Sequence, residues 1–433
     1  MARAALALQS LIETSISSRR VSVEALTVRV MLAVLSTSAT ALAPGWLAAA
    51  RAKHASRLGP PDGMELLAAA ASGEFDLGGG GTSGGGSFST SWSSGAPHIT
   101  FAEPTYQEML DDEGRTPAFE AAIRARVERQ PGIVVLDLGT GPFAVLALAA
   151  ARAGAAKVYA IEHEPTAAAA ARAAIIAAGQ SATVEVVEGL STEVTLPEKV
   201  DVVLAEILGS FASEEGCYAT IADAHRRHVK QPTRRDSWIP HTSQTWGAPA
   251  CFAMHHALGA PAYEWGAMGE PLRLWGHHPA LRVLAPPALL EEIRFADAAL
   301  PSSEAQPPVG VAEFTLTAAS LDAAEAALRD ALCAAGAPDD EAATLAAAAA
   351  RSVSGVALWP RLLLDEDAAH DVQARGDGGE GRPSSWPTLL PLLAPRPLLV
   401  ADGATLSLSA DVELQPDAGA APKYTLQGRL TTA

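Results

Sequence analysis

The chain has 433 residues, a formal net charge of −18 and an isoelectric point near 5.0. It is long enough for two or three domains, and its charge argues against a general binder of nucleic acid or anionic membranes. An acidic protein attracts basic partners instead. The three cysteines (Cys217, Cys251 and Cys333) form neither a CxxC motif nor an even disulfide framework, which favours a reducing compartment.

Residues 1–97 have the composition of a leader that ends in a flexible linker. The apolar run "MLAVLSTSATALAP" follows three arginines and ends in small residues, which is typical of a signal or organelle-transit segment. Glu13 and Glu24 fit a simple signal peptide poorly, so an ordinary flexible leader is the alternative. "GGGGTSGGG" and the serine-rich "SFSTSWSSGAP" predict a linker. We expect folded structure from near His98 and no membrane span.

The nature of the leader decides the expected location. We expect a cytoplasmic or nuclear protein, or a plastid or mitochondrial one if the leader is a transit segment. Whether residues 1–97 are cleaved stays open.

Helical and strand patterns alternate between residues 98 and 240. Residues 107–128 have a helical pattern, and alanine-rich helices follow the first two of four strand-like runs. These runs are "GIVVLDLGTG", "KVYAIE", "TVEVVEG" and "VDVVLAE". The alternation predicts an α/β fold with a doubly wound, Rossmann-like parallel sheet.

Residues 241–433 have a different pattern, which begins after "RRDSWIPHTSQTWGAP". Short β-like runs such as "EFTLTAA", "VSGVALWPRLLL" and "YTLQGRLTT" predict an antiparallel, β-barrel-like domain. Residues 321–351 are alanine-rich with a helical period and predict a helical insertion. The polar, glycine-rich run "DAAHDVQARGDGGEGRPSS" predicts a mobile loop.

Glycines and carboxylates follow the first two strands. Asp137, Gly139 and Gly141 lie at the end of the first, where glycine lets backbone N–H groups approach a ligand. The third glycine of a dinucleotide fingerprint is absent, because its place falls on Ala144. Glu162 ends the second strand and could accept hydrogen bonds from both ribose hydroxyls. The set suits S-adenosylmethionine (AdoMet), which has a ribose but no phosphate; a tight turn beside a solvated carboxylate is the alternative.

Two carboxylates, Glu206 and Glu215, lie nine positions apart after the fourth strand. The segment between them is long enough for a hairpin-like loop that turns both side chains into one pocket. Carboxylates held together repel unless a cation lies between them. A guanidinium fits best, because it is planar, always charged and matches a carboxylate fork. Glu214 competes with Glu215 for the second position, and the spacing favours Glu215.

Three motifs together resemble the protein arginine methyltransferase family, over residues from about His98 to the C-terminus. "EILGSFASEE" resembles that family's double-glutamate loop, in the form closest to its symmetrically dimethylating branch. "EMLDDEGRT" resembles its N-terminal cofactor helix and "SSWPTLLPLL" its substrate-facing loop. The resemblance implies methyl transfer from AdoMet to guanidino nitrogens of arginine in proteins. It also implies a basic Gly/Arg-rich protein substrate and a homodimer, whereas the acidic charge argues against direct nucleic-acid contacts.

The resemblance implies particular cofactor contacts. Arg115 would pair with the AdoMet carboxylate, and Met109 would line the pocket near the methyl group. Ser191 or Thr192 would lie near the adenine, where the family often has an acidic residue. Because Met109 is typical of the mono- or asymmetrically methylating branches, the type of methylarginine product stays open.

On the substrate side, the resemblance implies that Glu206 and Glu215 clamp the guanidinium and that Glu215 takes the proton or passes it to water. Ser385 and Trp386 would face the substrate. Much of the family has histidine at the position of Ser385, paired with an aspartate at the position of Asp112. The symmetric branch has serine there.

Two other functions stay open: an AdoMet-dependent methyltransferase with a different substrate, and a non-catalytic scaffold relative. Retention of Arg115, Glu162, Glu206 and Glu215 together argues against the scaffold. A metal site is not expected, because the two adjacent histidine pairs do not face one site on a regular element.

Overall fold

The computed structural model describes residues 86–93, 103–258, 265, 271–274, 277–300, 310–365, 370–414 and 422–431. They belong to one unit, which spans Glu74–Ala433. The predicted targeting segment, most of the glycine run and the predicted start near His98 lie outside the described residues. The first described element is a strand, β1 (Gly86–Ser93).

A parallel sheet with its helices follows β1. Its strands are β2 (Val134–Leu138), β3 (Lys157–Glu162), β4 (Val184–Glu188), β5 (Val202–Leu204) and β6 (Trp238–Ile239). The helices are α1 (Glu103–Leu110), α2 (Thr116–Arg129), α3 (Val145–Arg152), α4 (Pro165–Ala177) and α5 (Cys217–Arg227). The spatial order is β4–β3–β2–β5–β6, and all pairs are parallel. The chain order reverses between β2 and β5, so the sheet is doubly wound, as predicted.

Local sequence explains how this sheet is built. All five residues of β2 are buried, as expected for a parallel strand covered on both faces. Pro165 lies in the first turn of α4, and the side chain of Glu164 caps this helix by accepting a hydrogen bond from the Ala167 N–H at 2.6 Å. The cap fixes the path of the chain directly after Glu162.

The helical pattern of residues 107–128 is divided between α1 and α2, which corrects the prediction of one helix. Asp112 Oδ1 accepts hydrogen bonds from the backbone N–H groups of Gly114 and Arg115, each at 3.0 Å. Such local bonds offer the backbone an alternative to the helix. The resulting turn places Arg115 at the N-cap of α2.

Antiparallel strands follow β6. They are β7 (Thr242–Phe252), β8 (Leu272–Leu274), β9 (Leu281–Val283), β10 (Ala288–Arg294), β11 (Gly310–Thr315), β12 (Ser352–Val353), β13 (Gly355–Leu363), β14 (Asp371–Gln373), β15 (Thr388–Leu390), β16 (Leu398–Leu399), β17 (Thr405–Glu413) and β18 (Lys423–Thr431). One sheet has the order β10–β7–β13–β15–β8, with β14 beside β13 and β9 beside β7; a second has the order β1–β18–β17–β11. The curled antiparallel half-barrel confirms the predicted fold class.

The helices of this second part are α6 (Ala253–Ala257), α7 (Ala318–Ala334) and α8 (Asp339–Ala350). The last two form the predicted helical insertion, as a hairpin between β11 and β12. A capping box starts α7, in which Thr317 and Ser320 exchange hydrogen bonds between side chain and backbone. Leu328 and Leu332 of α7 and Leu345 of α8 are buried.

Part of the predicted mobile loop has regular structure, which corrects the prediction for residues 371–381. β14 pairs with β13, and Arg375, only 2% exposed, follows it. Its guanidinium donates to the Gly379 carbonyl at 2.7 Å and to Thr388 Oγ1 at 3.0 Å. Burial lowers the pKa of Arg375 to about 10. A buried, hydrogen-bonded guanidinium therefore organises a segment whose composition suggested a loop.

The prediction of a linker is wrong for residues 86–93. β1 pairs antiparallel with β18, from Gly86 opposite Leu430 to Ser93 opposite Lys423. The serines conceal a strand period of two, in which Phe88 and Trp92 lie on one face. Trp92 is 6% exposed. Its ring stacks on Tyr424 at 5.1 Å and meets Phe211 edge-on at 6.5 Å.

Replacing Trp92 with alanine is expected to destabilise the protein by about 3–5 kcal/mol, the usual cost of truncating a buried tryptophan. Calorimetric or chemical unfolding measures the change. Val311→Ala is the control, because Val311 is 79% exposed and such surface changes stay within about 0.5 kcal/mol. An unchanged midpoint for Trp92→Ala would mean that residues 86–93 do not pack in solution.

Two general properties follow from the described residues. No helix within them has the length and apolar character needed to cross a membrane. Cys217, Cys251 and Cys333 all have free thiols, and burial raises the pKa of the Cys251 thiol to about 12. These thiols are therefore protonated near neutral pH.

Candidate active site

A cavity of about 720 Å³ lies at the carboxyl edge of the parallel sheet, where β2 and β5 reverse the chain order and such folds bind ligands. Every site residue predicted from the sequence lines it. These residues are Met109, Arg115, Asp137, Gly139, Gly141, Glu162, Ser191, Glu206, Glu215, Ser385 and Trp386. The lining includes residues from both the parallel-sheet part and the half-barrel part of the chain.

The glycine turn after β2 has the backbone conformation that its sequence requires. Gly139 and Gly141 have φ of 68° and 65°, in the left-handed region where glycine carries no steric cost. A Cβ on Gly141 would lie 3.5 Å from the ring of Tyr106, which therefore packs over the turn. Ala144, at the place of the missing third glycine, also has a positive φ, of 46°.

Asp137 holds the glycine turn. Its Oδ2 accepts hydrogen bonds from Thr140 Oγ1 at 2.6 Å and from the Ala147 N–H at 3.1 Å. Burial raises the pKa of Asp137 to about 6, against these hydrogen bonds and with help from nearby Glu162 and Glu206. The contacts make it a support of the turn, and its predicted contact with the cofactor stays a prediction.

Glu162 is 4% exposed at the end of β3. One carboxylate oxygen accepts a hydrogen bond from the Gly141 N–H at 3.0 Å, and the other from the Glu164 N–H at 2.9 Å. Each oxygen has a second lone pair. Glu162 Oε1 also lies 3.3 Å from His163 Nδ1. The side chain is thus fixed by its neighbours, and its remaining lone pairs can accept bonds from hydroxyls of a ligand.

Ser191 lies on the loop after β4 and is held from α5. Its carbonyl accepts a hydrogen bond from Arg227 Nη2 at 2.6 Å and pairs with His228 Nε2 at 3.0 Å. Thr192 beside it also lines the cavity. The Ser191 and Thr192 hydroxyls could form hydrogen bonds with a purine ring, but neither position has a carboxylate.

Arg115 and Glu206 form an ion pair within the cavity lining. Their side chains are 9% and 11% exposed, and Arg115 Nη1 also donates to the Met109 carbonyl at 3.1 Å. Burial raises the pKa of Glu206, although Arg115 acts against this. The predicted cofactor cation and the predicted substrate carboxylate are therefore partners in this structure.

Glu214 and Glu215 lie in different surroundings. Glu214 is 2% exposed and pairs with Arg273 of β8. Glu215 has φ of 61°, a left-handed conformation that costs a non-glycine residue about 1–2 kcal/mol. Burial raises the pKa of Glu215 to about 8, with Glu214 and Glu206 adding to the rise and Arg273 opposing it. A carboxyl that is poorly solvated and close to other carboxylates favours an incoming cation.

Ser385 and Trp386 support the site from the half-barrel. Asp112 Oδ2 accepts hydrogen bonds from the Ser385 N–H at 2.7 Å and from its Oγ at 3.0 Å. Burial alone would raise the pKa of Asp112, but the bonds from Ser385, Arg115 and Gly114 lower it overall. Trp386 is buried, and its indole N–H donates to the Leu208 carbonyl at 3.0 Å. Trp386 therefore braces the loop between Glu206 and Glu215, and its predicted contact with a substrate stays a prediction.

Tyr106, His163 and Arg273 also line the cavity but were not predicted as site residues. His163 follows Glu162 directly, so its position at the end of β3 was a usable signal. Tyr106 precedes the "EMLDDEGRT" motif. Arg273 lies in a segment with no motif, and the sequence offered no sign of it.

The lining fits AdoMet. A buried carboxylate suits ribose hydroxyls and disfavours a phosphate, the glycine turn permits close backbone approach, and Arg115 is a cation for an amino-acid carboxylate. In the described part of the chain, no group of three His, Cys, Asp or Glu side chains is arranged to hold a metal. Fold and lining together are those of a Rossmann-like domain whose pocket suits AdoMet, joined to an antiparallel half-barrel.

Comparison with known proteins agrees with this class. The family model of ribosomal protein L11 methyltransferase (PrmA) matches residues 120–214. Protein arginine N-methyltransferase PRMT10 of Arabidopsis thaliana is 38% identical over 143 residues, which is 33% of this chain and 36% of the relative. Protein arginine N-methyltransferase 1 of Dictyostelium discoideum is 34% identical over 125 residues, or 29% of this chain and 36% of the relative. The chain thus matches only about a third of the length of these relatives.

Solved structures extend the similarity in fold to 71–76% of this chain. The open-conformation crystal structure of Arabidopsis thaliana protein arginine methyltransferase 10 has a TM-score of 0.54 and 21% identity, over 76% of this chain and 93% of that one. The Trypanosoma brucei PRMT1 enzyme–prozyme heterotetramer with AdoHcy has a TM-score of 0.52 and 18% identity, over 71% of this chain and 87% of that one. The chain is thus similar in sequence to protein arginine N-methyltransferases over about a third of its length, and it shares a fold with these two solved structures.

Proposed function

We propose that the protein transfers a methyl group from AdoMet to guanidino nitrogens of arginine residues in proteins. One observation carries this proposal: two carboxylates of one loop, Glu206 and Glu215, line the same cavity as the glycine turn and Glu162. A site for a cationic acceptor thus adjoins a site for a ribose-containing donor.

The chain's own residues would hold AdoMet in the following way. Glu162 would accept hydrogen bonds from the ribose hydroxyls, and Arg115 would bind the carboxylate. Gly139 and Gly141 would bring the backbone close, while Ser191 would lie near the adenine and Met109 near the methyl group. When bound, AdoMet supplies a methyl group attached to a positively charged sulfur.

Glu206 and Glu215 would position the substrate guanidinium. Each would accept N–H hydrogen bonds from the substrate guanidinium, so that its positive charge is held between them and one nitrogen stays free to form the new bond. Most of the rate enhancement in such a displacement comes from orientation. The carboxylates also stabilise the positive charge on the methylated product.

A proton must leave in this reaction, because the guanidinium gains a methyl group and keeps its single charge. Ionised Glu215 would accept the N–H proton and release it to water. A bound guanidinium favours the ionised carboxylate, since an opposite charge lowers a carboxyl pKa. In the described residues, no histidine is bonded to Asp112, and Ser385 holds it instead.

The acidic charge of the chain favours basic, Gly/Arg-rich protein substrates. We further propose a homodimer located in the cytoplasm or nucleus, with a plastid or mitochondrial location as the alternative. The Trypanosoma brucei relative is an enzyme–prozyme heterotetramer, which supports oligomerisation of this fold.

The decisive experiment incubates the full chain with methyl-labelled AdoMet and a Gly/Arg-rich peptide, beside the same peptide with lysine for arginine. Label in methylarginine after hydrolysis is the expected result, and mass spectrometry identifies the mono-, asymmetric or symmetric product. AdoMet binding by calorimetry without methylarginine would indicate a different substrate. Absence of AdoMet binding would indicate a scaffold relative.

A further inference from the structure

Arg273 of β8 joins the half-barrel to the loop that carries the two carboxylates. Its Nη1 donates to Ser210 Oγ at 2.6 Å, and its Nη2 pairs with Glu214 Oε1. Glu214 Oε2 in turn accepts a hydrogen bond from the Ser210 N–H. One guanidinium and one carboxylate thus tie together two points of the loop, Ser210 and Glu214. We call these three residues the loop bracket.

The bracket buries the Glu214 carboxylate next to Gly209, where no larger side chain would fit. The Glu214 side chain is 3% exposed, whereas that of Arg273 is 45% exposed. A Cβ on Gly209 would lie 2.1 Å from Glu214 Oε2, so the carboxylate occupies space that only glycine leaves free. Glu214 is therefore folded beneath its own loop and has three donors there: the Ser210 N–H and both Arg273 terminal nitrogens.

The backbone directly after Glu214 is left-handed at two consecutive residues. Glu215 and Gly216 have φ of 61° and 70°, and α5 begins at Cys217. Two consecutive left-handed residues turn the chain sharply. A left-handed glutamate persists only where its surroundings determine it, and the bracket fixes the residue directly before it.

We propose that Arg273 is a positioning residue: through Ser210 and Glu214 it holds the loop so that Glu215, and not Glu214, is the second carboxylate for the substrate guanidinium. This inference rests on the proposed function and deepens it. It explains why two adjacent glutamates have separate roles. Glu214 anchors the loop, and Glu215 completes the site with Glu206.

Because Arg273 is charged, its loss should change the pH dependence of the reaction, which a loss of packing alone would not do. The charged and titratable groups facing Glu215 are Glu214, Glu206, Arg273 and the Cys217 thiol. Arg273 is the group among them that lowers the pKa of Glu215, which burial and the two glutamates raise to about 8. Loss of Arg273 therefore moves the ionisation of Glu215 to higher pH.

The test compares Arg273→Met with Arg329→Met in the full chain. Arg329 is a matched control, because its side chain is 48% exposed and pairs with Asp339 on the helical hairpin. For Arg273→Met we expect kcat/KM for the arginine peptide to fall about 10²-fold, the loss that a misplacement of about 1 Å causes. We expect the acid limb of its pH profile to move upward and the Kd for AdoMet to stay within about 2-fold. Arg329→Met should behave as the wild type.

Two further variants separate positioning from simple loss of charge. Arg273→Lys keeps the charge but loses the planar fork, so its kcat/KM should lie between wild type and Arg273→Met. Glu214→Gln should reproduce the loss seen for Arg273→Met, because an amide cannot accept all three donors. A folded Arg273→Met protein with wild-type kcat/KM and pH profile would overturn the proposal.

Hydrogen exchange tests the bracket independently of methyl transfer. In Arg273→Met, amides of residues 210–216 should exchange faster than in the wild type and in Arg329→Met. If the wild type transfers no methyl to arginine, the proposed function fails, yet this exchange result still decides whether Arg273 holds the loop. Unchanged exchange in that segment would refute the bracket whatever the enzyme's substrate.

Discussion

Glu206→Gln is expected to lower kcat for arginine methylation by about 10²–10³-fold, the usual loss when one preorganised electrostatic contact is removed from an active site. The amide keeps the size of the side chain but lacks the negative charge that stabilises the guanidinium. AdoMet binding should remain, because Glu162 and the glycine turn are untouched. It should even strengthen slightly, since Arg115 loses its competing partner, Glu206.

Single-turnover methylation and calorimetric AdoMet binding measure these two effects separately. Glu292→Gln is the matched control, because Glu292 pairs with Arg294 and its side chain is 16% exposed, against 11% for Glu206. It lies on β10, outside the cavity lining, and should leave both measurements unchanged. Weakened AdoMet binding with normal turnover at saturation would contradict the assignment of Glu206 to the substrate.

The sequence was sufficient for features that depend on local pattern. The runs "KVYAIE" and "VVLDL" become β3 and β2 with few changes at their ends, because strands covered on both faces are continuously apolar. Parallel strands bring their carboxyl ends to one edge, so the position of Glu162 beside Gly141 followed from the fold alone. The grouping of the predicted residues around one cavity follows from the same rule.

Features that depend on partners far away in the sequence could not be predicted. β1 forms a strand because it pairs with β18 and because its Trp92 stacks on Tyr424, although its serines indicate a linker. The turn after β14 is organised by one buried guanidinium, Arg375. Arg273 meets Glu214 across 59 positions of sequence, and no local pattern marks either as a partner of the other.

Two carboxylates of the acidic loop already have cationic partners within this chain. Arg115 pairs with Glu206, and Arg273 pairs with Glu214. Glu215 has no such ion pair among the described contacts, and its pKa is raised to about 8. A substrate guanidinium would therefore meet one free carboxyl and one that Arg115 shares with the cofactor.

Arg115→Met is accordingly expected to weaken AdoMet binding by about 10²-fold, within the range of about 2–5 kcal/mol for removing one partner of a buried charge pair. Arg115→Lys should lie between it and the wild type, because lysine keeps the charge without the planar fork. The Arg115→Met variant should also need a higher pH than the wild type for full activity. Arg115 opposes the raised pKa of Glu206, so its removal moves ionisation of that carboxyl upward.

Calorimetric titration with AdoMet and the pH profile of kcat/KM test both expectations. Arg126→Met is the control, because Arg126 is a similarly buried arginine on α2, with a side chain 7% exposed against 9% for Arg115, and it pairs with Asp236. It should lower the unfolding temperature without changing the Kd for AdoMet. An Arg115→Met protein that binds AdoMet as the wild type does, with a lower kcat alone, would mean that Arg115 serves Glu206 and not the cofactor.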